Sequence, residues 1–438
     1  ADVPCTAIDV VATDSPHLRA PDESDRPLFD TTIAVVPALQ LPTAINDLPE
    51  VAEAHDRLVG YFFWELDVVP ESHELGMETV DEIWTPTHFV HGAYASAAGD
   101  TPVRLMPTRI PQPSVDADAV ARWRSEFHAA VPPSEGDEVA ARDDIDRDAG
   151  ASGESGTGVE GDGIGVVDVD RDADEPFVFL TSLDLFSVVE RKNPAGAIEA
   201  FHRAFGRPND PGAFVHGGRP NDPGAFVQGG RPVRLVVKTI NGDQRPDDLA
   251  AIQEAAAGDP WIVVLDRFVD ERELDAMIAA ADCFVSLHRS EGLGLHLAQA
   301  MWLGTPVIAT RWSGSLDLMD DDCAALVDAQ LIGVRDGRGA YPESAHWADP
   351  DLDQAADWMR RLVDDPIQVE RFALAARIRM EEQPDRADVG RAMWAALSAP
   401  DTAAPNTAVP DGAAGSDSSN ADGDRGGDGD APATARIP

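Results

Sequence analysis

Residues 284–310 read FVSLHRSEGLGLHLAQAMWLGTPVIAT: an apolar run, a polar turn, a longer apolar stretch, a Gly-Thr-Pro stop and a second apolar run. Short apolar runs between turn residues predict buried strands, and the longer stretch predicts a helix over Leu295–Leu303. Gly292 and Gly294 stand just before that helix. A strand, a helix and a second strand in this order are typical of a parallel sheet covered by helices.

The same alternation extends along most of the chain. In the second half it predicts strands at Phe177–Leu183, Arg234–Thr239, Trp261–Leu265, Cys283–Leu287 and Pro306–Thr310. In the first half it predicts strands at Thr31–Val36, Arg57–Phe63, Glu82–Pro86 and Val103–Met106. Helices are predicted between the strands, and three more close the chain, near Leu352–Asp364, Pro366–Glu382 and Ala387–Leu397. This pattern indicates an α/β fold with Rossmann-like, doubly wound parallel sheets.

Three segments differ in composition from the rest of the 438 residues. Residues 133–175 contain fifteen acidic residues against three Arg, which predicts a flexible acidic linker because few apolar groups could be buried. Residues 399–438 are rich in Ala, Gly, Asp and Pro, and we expect a disordered tail. Residues 206–229 repeat a twelve-residue unit whose Pro, Asn, Asp and Gly predict a duplicated surface loop.

The formal net charge of −45 excludes several classes of partner. A surface this acidic repels a phosphate backbone, and we therefore expect no nucleic-acid binding. The three cysteines are too widely spaced for a disulfide scaffold, no apolar run is long enough to span a bilayer, and the acidic first residues do not resemble a secretory signal. We expect a cytoplasmic protein without a transmembrane segment. The acidity is compatible with either a high-salt cytoplasm or a GC-rich genome.

The polar turn before the predicted helix is the first candidate site. Ligands of open α/β sheets bind beyond the carboxyl ends of the strands. Gly292, Leu293 and Gly294 are expected to bind a phosphate. Glycines allow the backbone to approach a ligand closely, and the free N–H groups of the following helix attract an anion. Glu291 could bind sugar hydroxyls, and Gln299 lies about one helical turn further on. The alternative is an ordinary turn with a surface glutamate.

The only two lysines of the sequence support this prediction. Arg191 and Lys192 lie at a predicted strand–helix junction, and Lys238 lies near the end of a predicted strand, so both lysines are expected near the carboxyl edge of the sheet. An ammonium group is suited to contacting a diphosphate. Arg289 could assist, although an arginine on such a loop more often forms a surface ion pair. The alternative is that either lysine is present by chance and only caps the end of a helix or strand.

These residues together resemble a known family. The stretch 284–310 is similar to the donor-site signature of retaining GT-B glycosyltransferases of the family 4 type, in which a glutamate is followed eight residues later by a second acid. WELDVVP (64–70), VDEIWTPTHFV (80–90), ERKNP (190–194) and HWADPDLDQAADWMRRL (346–362) resemble a bacterial subgroup of that family. The resemblance covers roughly residues 55–395, apart from the linker and the duplicated loop.

The resemblance implies a GT-B fold, in which two Rossmann-like domains face each other across a cleft. The amino-terminal domain would bind the acceptor, and the carboxyl-terminal domain would bind the nucleotide-sugar donor. We therefore expect an acceptor-side domain over residues 1–132, a donor domain over residues 176–340 and closing helices over residues 341–398.

Carried over residue by residue, the resemblance assigns Lys192 to the donor diphosphate, the backbone N–H groups of Gly292–Gly294 to the same group, and Glu291 to the transferred sugar. Gln299 stands where the family has its second acid, which usually binds the ribose hydroxyls. An amide can still form hydrogen bonds with a ribose, so we expect weaker donor binding rather than none. Ser315 stands where the subgroup commonly has asparagine.

The first part of the chain departs from the family pattern. Members usually open with a strand and a Gly-rich loop ending in arginine, and nothing like it precedes residues 1–11. We therefore expect an incomplete amino-terminal domain, either as a fragment or through loss of part of the active site. Glu65, Asp67, Thr87 and His88 could face the acceptor, and Glu65 is the predicted acid near the reaction centre. A helix cap or an ion pair with an arginine is the alternative for Glu65.

These features predict a retaining glycosyltransferase that moves a hexose from a nucleotide-sugar to a glycan, lipid or other acceptor. No histidines show metal-ligand spacing, and the resemblance implies that lysine and backbone amides replace a metal, so no cofactor is expected. The alternative is a catalytically impaired GT-B protein that binds nucleotide-sugars or serves as a scaffold. A pyridoxal-dependent phosphorylase of this fold is disfavoured, since no third lysine could hold the cofactor.

Overall fold

The computed structural model describes residues 31–47, 56–129, 175–207, 231–256, 258–335 and 339–398. Residues 1–30, the predicted tail and nearly all of the predicted linker and duplicated loop lie outside the described residues. The expectations for those segments stay predictions.

Four strands near the amino terminus form a parallel sheet, in the order β1-β2-β3-β4. These strands are β1 (Thr31–Ala34), β2 (Arg57–Tyr61), β3 (Glu82–Thr85) and β4 (Val103–Leu105). They are connected by helices α1 (Leu41–Asp47), α2 (Glu74–Thr79) and α3 (His88–Ala97). Leu58, Ile83 and Tyr94 pack together between this sheet and its helices. The strands predicted for the first half of the chain are confirmed, each ending one or two residues early.

Six further strands form a second parallel sheet, in the order β7-β6-β5-β8-β9-β10. They are β5 (Phe177–Asp184), β6 (Val233–Ile240), β7 (Ile262–Asp266), β8 (Cys283–Ser286), β9 (Val307–Thr310) and β10 (Ala325–Val327). Strands β5 and β8 are neighbours, but the connections that follow them leave towards opposite edges of the sheet. Such a switch point opens a crevice at the carboxyl ends of the two strands.

Helices cover both faces of the second sheet. The remaining helices of the described chain are α4 (Ala117–His128), α5 (Val189–Lys192), α6 (Pro194–Phe205), α7 (Pro246–Ala256), α8 (Glu271–Ala280), α9 (Leu295–Leu303), α10 (Leu352–Asp364), α11 (Pro366–Glu381) and α12 (Arg386–Ser398). Phe179 and Leu183 enter the core beneath α6 and α10, whereas Val178 and Leu180 enter the core beneath α8 and α9. Both faces of a strand are therefore buried, which explains the nearly continuous apolar runs.

Two helices pack on the sheet that is distant from them in sequence. Helix α4 lies within the predicted acceptor-side domain, yet its Trp123 and Phe127 belong to the core of the second sheet. Helix α12 ends the described chain, yet its Ala396 packs with Tyr61 and Trp84 of the first sheet. The packing of these helices therefore does not follow the domain limits expected from the sequence.

A two-stranded antiparallel hairpin follows the second sheet. It consists of β11 (Ala329–Gly333) and β12 (His346–Pro350). The closing helices expected over residues 341–398 begin only at Leu352, because residues 346–350 form β12. The segment between the two strands carries Tyr341, which packs with Trp347 and with Leu66 of the first half of the chain.

Candidate active site

A cavity of about 290 Å³ opens at the switch point of the second sheet. Its walls come from the carboxyl ends of β5 and β8, from the turn Glu291–Gly294 and from the first turn of α9. Phe63, Trp64 and Glu65, which follow β2, close it from the other domain. The cavity therefore lies between the two halves of the molecule, where the sequence predicted the donor site.

Charged side chains meet at the base of this cavity. Lys192 Nζ lies 2.5 Å from Glu291 Oε1, and Arg191 Nη1 lies 3.4 Å from Glu291 Oε2. Burial alone would raise the pKa of Glu291, but Lys192 and Arg191 outweigh it and hold this pKa at about 2. Glu291 is therefore an ionised carboxylate at neutral pH.

Arg191 is buried and connects both domains. Its Nη1 donates a hydrogen bond to the Ser290 carbonyl at 2.8 Å, and its Nε lies 3.6 Å from Glu65 Oε1 across the cleft. Burial alone would lower the pKa of Arg191, but Glu291, Glu65 and Tyr341 outweigh it and keep this pKa above its usual value. The guanidinium thus stays charged between two carboxylates.

Asn193 explains why the two basic residues reach the cavity. It adopts the left-handed conformation (φ 54°) between α5 and α6, and its side chain accepts a hydrogen bond from the Gly196 N–H. Its amide also donates to the Leu287 carbonyl at 2.8 Å, which ties the helix junction to the loop after β8. An asparagine cap followed by Pro194 at the first helical position is a typical helix start.

The turn before α9 supplies backbone N–H groups to the cavity. Gly294 adopts φ 86°, a conformation that glycine reaches without strain, and the described residues provide no side-chain cap for the helix. The first N–H groups of α9 thus have no intrahelical partner, which makes this helix end suitable for an anion. Gly292 is needed for a different reason, because a Cβ there would lie 2.5 Å from the Trp64 carbonyl oxygen.

Two histidines, the buried His288 and the half-buried His296, flank the charged cluster. His288 lies beneath the turn, with Nδ1 3.0 Å from Ser286 Oγ and Nε2 3.3 Å from Ser315 Oγ. Burial lowers its pKa to about 4, so it is neutral at neutral pH. Burial, with help from Lys192, also lowers the pKa of His296 to about 4. Neither histidine therefore adds a positive charge to the site.

Further hydrogen bonds cross the cleft. Thr87 Oγ1 donates to the Gly292 carbonyl at 2.9 Å, and the His88 N–H donates to Asp317 Oδ2 at 2.9 Å. The His346 N–H donates to Asp67 at 2.8 Å. Asp67, Thr87 and His88, which the sequence offered as acceptor-facing groups, thus hold the two domains together.

The comparisons with known proteins fit this geometry. Residues 229–336 match the family model described as glycosyl transferases group 1. The structure is similar to that of a sucrose-phosphate synthase from Thermosynechococcus elongatus, with a TM-score of 0.51 and 15% identity over 84% of this chain and 73% of that one. This chain has a GT-B fold, and residues 229–336 match the group 1 glycosyltransferase model. The resemblance and the fold class expected from the sequence are therefore confirmed.

Other solved structures are similar at lower scores. Anabaena Alr3699/HepE in complex with UDP and glucose has a TM-score of 0.47 and 13% identity, over 84% of this chain and 78% of that one. A glycosyltransferase from Rickettsia africae has a TM-score of 0.47 and 11% identity, over 84% and 76%. No curated protein sequence matches the chain.

The structure brings most of the predicted site residues together. Those that line the cavity are Glu65, Arg191, Lys192, Glu291, Gly292, Leu293 and Gly294. Glu65 forms an ion pair with Arg191 and accepts a hydrogen bond from Tyr341, so the alternative of a pairing with an arginine holds.

Three predicted donor contacts lie outside the cavity lining. Gln299 Nε2 donates to Asp275 Oδ1 at 3.1 Å, because this face of α9 packs against α8. Arg289 Nη1 pairs with Asp349 at 2.7 Å, the surface ion pair named as its alternative. Lys238 is 4% exposed, and burial lowers its pKa to about 8.

Sequence reasoning missed Tyr341, among other residues of this site. Tyr341 reaches Glu65 from the segment between β11 and β12. It has no position in a strand–helix pattern, so periodicity could not reveal it. Tyr341 lies five residues before the motif HWADPDLDQAADWMRRL (346–362), and this was the one available signal.

Two structural features are absent from the described residues. Among them, no group of three or more His, Cys, Asp or Glu side chains is arranged to hold a metal ion. In the same part of the chain, no helix is both long and apolar enough to cross a bilayer.

Proposed function

We propose that this protein is a retaining glycosyltransferase that moves a hexose from a nucleotide-sugar to a glycan, lipid or other acceptor. The observation that carries the proposal is the convergence of Lys192, the Gly292–Gly294 turn and the ionised Glu291 on one cavity at the switch point. A positive group and free N–H groups suit a diphosphate. A carboxylate beside them suits sugar hydroxyls.

The donor diphosphate would compete with Glu291 for Lys192. The ammonium group now lies 2.5 Å from Glu291 Oε1, so a bound diphosphate would draw it away and free a carboxylate oxygen for the sugar. Lys192 is 24% exposed in its side chain and can make this movement more readily than the buried Arg191. Arg191 would remain with Glu291 and keep it ionised.

In the proposed reaction, the bond between the hexose C1 and the diphosphate oxygen breaks. A bond from C1 to the acceptor hydroxyl oxygen forms on the same face of the sugar, and the hydroxyl proton passes to the departing diphosphate. Lys192 and the N–H groups of the turn offset the charge that develops on the leaving group, so the proposal needs no metal ion. Glu65 would face the same centre from the acceptor side.

A second candidate rests on Gln299. Its amide binds Asp275 rather than lining the cavity, which favours weak donor binding. A catalytically impaired protein that binds nucleotide-sugars as a scaffold would show this feature.

The test incubates the whole protein with UDP-, GDP- and ADP-hexoses, with and without glycan and lipid acceptors, and measures the released nucleoside diphosphate. We expect turnover of at least one donor, and NMR of the product should show the anomeric configuration of the donor. Glu291→Gln should abolish turnover, whereas Glu343→Gln, at an exposed glutamate, should not. Binding without turnover would favour the scaffold, and neither binding nor turnover would contradict both.

A further inference from the structure

Tyr341 joins the hairpin of the second domain to an acid of the first. Its hydroxyl donates a hydrogen bond to Glu65 Oε1 at 2.7 Å, which is a short, well-formed bond. The two residues are 276 positions apart in the sequence. Tyr341 also forms a hydrogen bond with Arg191. The hydroxyl therefore contacts both members of the ion pair that crosses the cleft.

The hydrogen bond acts on one particular oxygen. Glu65 Oε1, which accepts from Tyr341, is the oxygen that lies 3.6 Å from Arg191 Nε. This Nε is buried, and it has no hydrogen-bond acceptor among the described residues. Arg191 in turn lies 3.4 Å from Glu291. Holding Glu65 Oε1 in place therefore also holds Arg191 and Glu291 in place, from the acceptor side of the cleft to the donor side.

The ring of Tyr341 is itself held rigidly. The residue is 8% exposed, and its ring packs edge-on against Trp64, with centroids 5.7 Å apart, and against Trp347 at 6.4 Å. Edge-on contacts of this kind are favourable between aromatic rings. Burial raises the pKa of Tyr341 above its usual value, so the hydroxyl keeps its proton and remains a donor.

We propose that Tyr341 is a positioning residue, which holds the Glu65 carboxylate against Arg191 at the reaction centre and makes the β11–β12 hairpin part of the active site. The proposal rests on the proposed function, because the reaction that Glu65 serves is the sugar transfer. Tyr341 does not line the cavity, so it would act through Glu65 and Arg191 without touching the donor.

The test compares Tyr341→Phe with Tyr61→Phe. Tyr61 is also buried, and its hydroxyl also forms a hydrogen bond, to the Met106 carbonyl at 3.1 Å, but it lies in the core of the first sheet. We expect Tyr341→Phe to lower kcat at least tenfold and to change the Kd of the nucleoside diphosphate less than twofold. Tyr61→Phe should leave both within twofold. An unchanged kcat in Tyr341→Phe would overturn the proposal.

A double-mutant cycle with Glu65→Ala separates positioning from general damage. If Tyr341 acts through Glu65, Tyr341→Phe should lower kcat less than twofold once Glu65 is absent, and the two losses of melting temperature should not add. Additive losses in both measurements would overturn the proposal while leaving the proposed function intact. Absence of donor turnover by the unchanged protein would contradict the proposed function and, with it, the role of Tyr341. The melting temperatures would still show whether the hydrogen bond exists.

Discussion

Thr87 caps helix α3 and binds Gly292 of the opposite domain with the same hydroxyl group. Its Oγ1 accepts from the Val90 N–H at 3.3 Å and donates to the Gly292 carbonyl at 2.9 Å. A helix start in the first half of the chain is thereby fixed to the turn that borders the cavity. The relative position of the two domains and the shape of the cavity are therefore linked.

Gly292→Ala should separate the two domains. The added Cβ would lie 2.5 Å from the Trp64 carbonyl oxygen, which is too close for contact, so backbone must move. We expect a loss of about 1–3 kcal/mol in the free energy of unfolding and a fall in turnover of about 100-fold. Gly92→Ala is the control, since nothing lies within 4 Å of its Cβ and it sits in α3. Urea unfolding and donor turnover measure both effects, and equal results for the two variants would contradict the prediction.

Lys192→Ala should weaken binding of a nucleoside diphosphate more than Lys238→Ala. Hydrogen bonds to charged groups contribute about 1.5–3 kcal/mol, so the Kd should rise about tenfold to 100-fold for Lys192. Lys238 lies outside the cavity lining, so its replacement should change the Kd less than about threefold. Isothermal titration calorimetry with UDP, GDP and ADP measures both variants. Equal, negligible effects would show that the diphosphate binds elsewhere.

The strands predicted for the second half of the chain, β5 to β9, were predictable because both faces of the second sheet are buried, whereas β10, β11 and β12 were not predicted. Strands such as β7 and β9 are short, mainly apolar runs, and α9 begins and ends at the predicted residues. The convergence of Lys192 and Glu291 was also predictable, because the carboxyl ends of parallel strands share one edge of the sheet.

Contacts that depend on how whole elements pack were not predictable. Gln299 lies one turn after Leu295 on α9, but the rotation of this helix is set by the burial of Leu297, Ala298 and Met301. That rotation turns the amide towards α8. Tyr341 meets Glu65 only because the hairpin packs against the other domain, and no local periodicity encodes such a contact.

Asp275→Asn should stabilise the protein at high pH. Burial, with a contribution from Glu271, raises the pKa of Asp275 to about 6. A carboxyl whose folded pKa exceeds its unfolded pKa destabilises the fold once it ionises, so the cost is full above pH 6 and absent below about pH 4. The variant should exceed the unchanged protein by up to about 3 kcal/mol at pH 8. Urea midpoints at pH 8 and pH 4.5 measure this, and an equal difference at both values would contradict it.

Gln299→Glu should destabilise the protein unless Asp275 is also changed. Gln299 Nε2 lies 3.1 Å from Asp275 Oδ1, so a glutamate there would bring two carboxyl groups together. Such a pair shares a proton or repels, and the single variant should lose stability without gaining affinity. Gln299→Glu with Asp275→Asn should recover the stability, and neither variant should change the Kd of a nucleoside diphosphate more than about threefold, because residue 299 lies outside the cavity lining. Equal urea midpoints for the single and double variants would contradict the prediction.

Helices α4 and α12 each pack on the sheet that is distant from them in sequence, and this has a consequence for folding during synthesis. Helix α4 leaves the ribosome before the sheet that it covers. In the first sheet, Trp84 becomes fully enclosed only after α12 has been made, more than 280 residues after β3. Domains generally fold as units as they emerge. Here the first sheet would stay partly open until translation has passed Ala396, and its unfinished apolar face would need protection by chaperones until then.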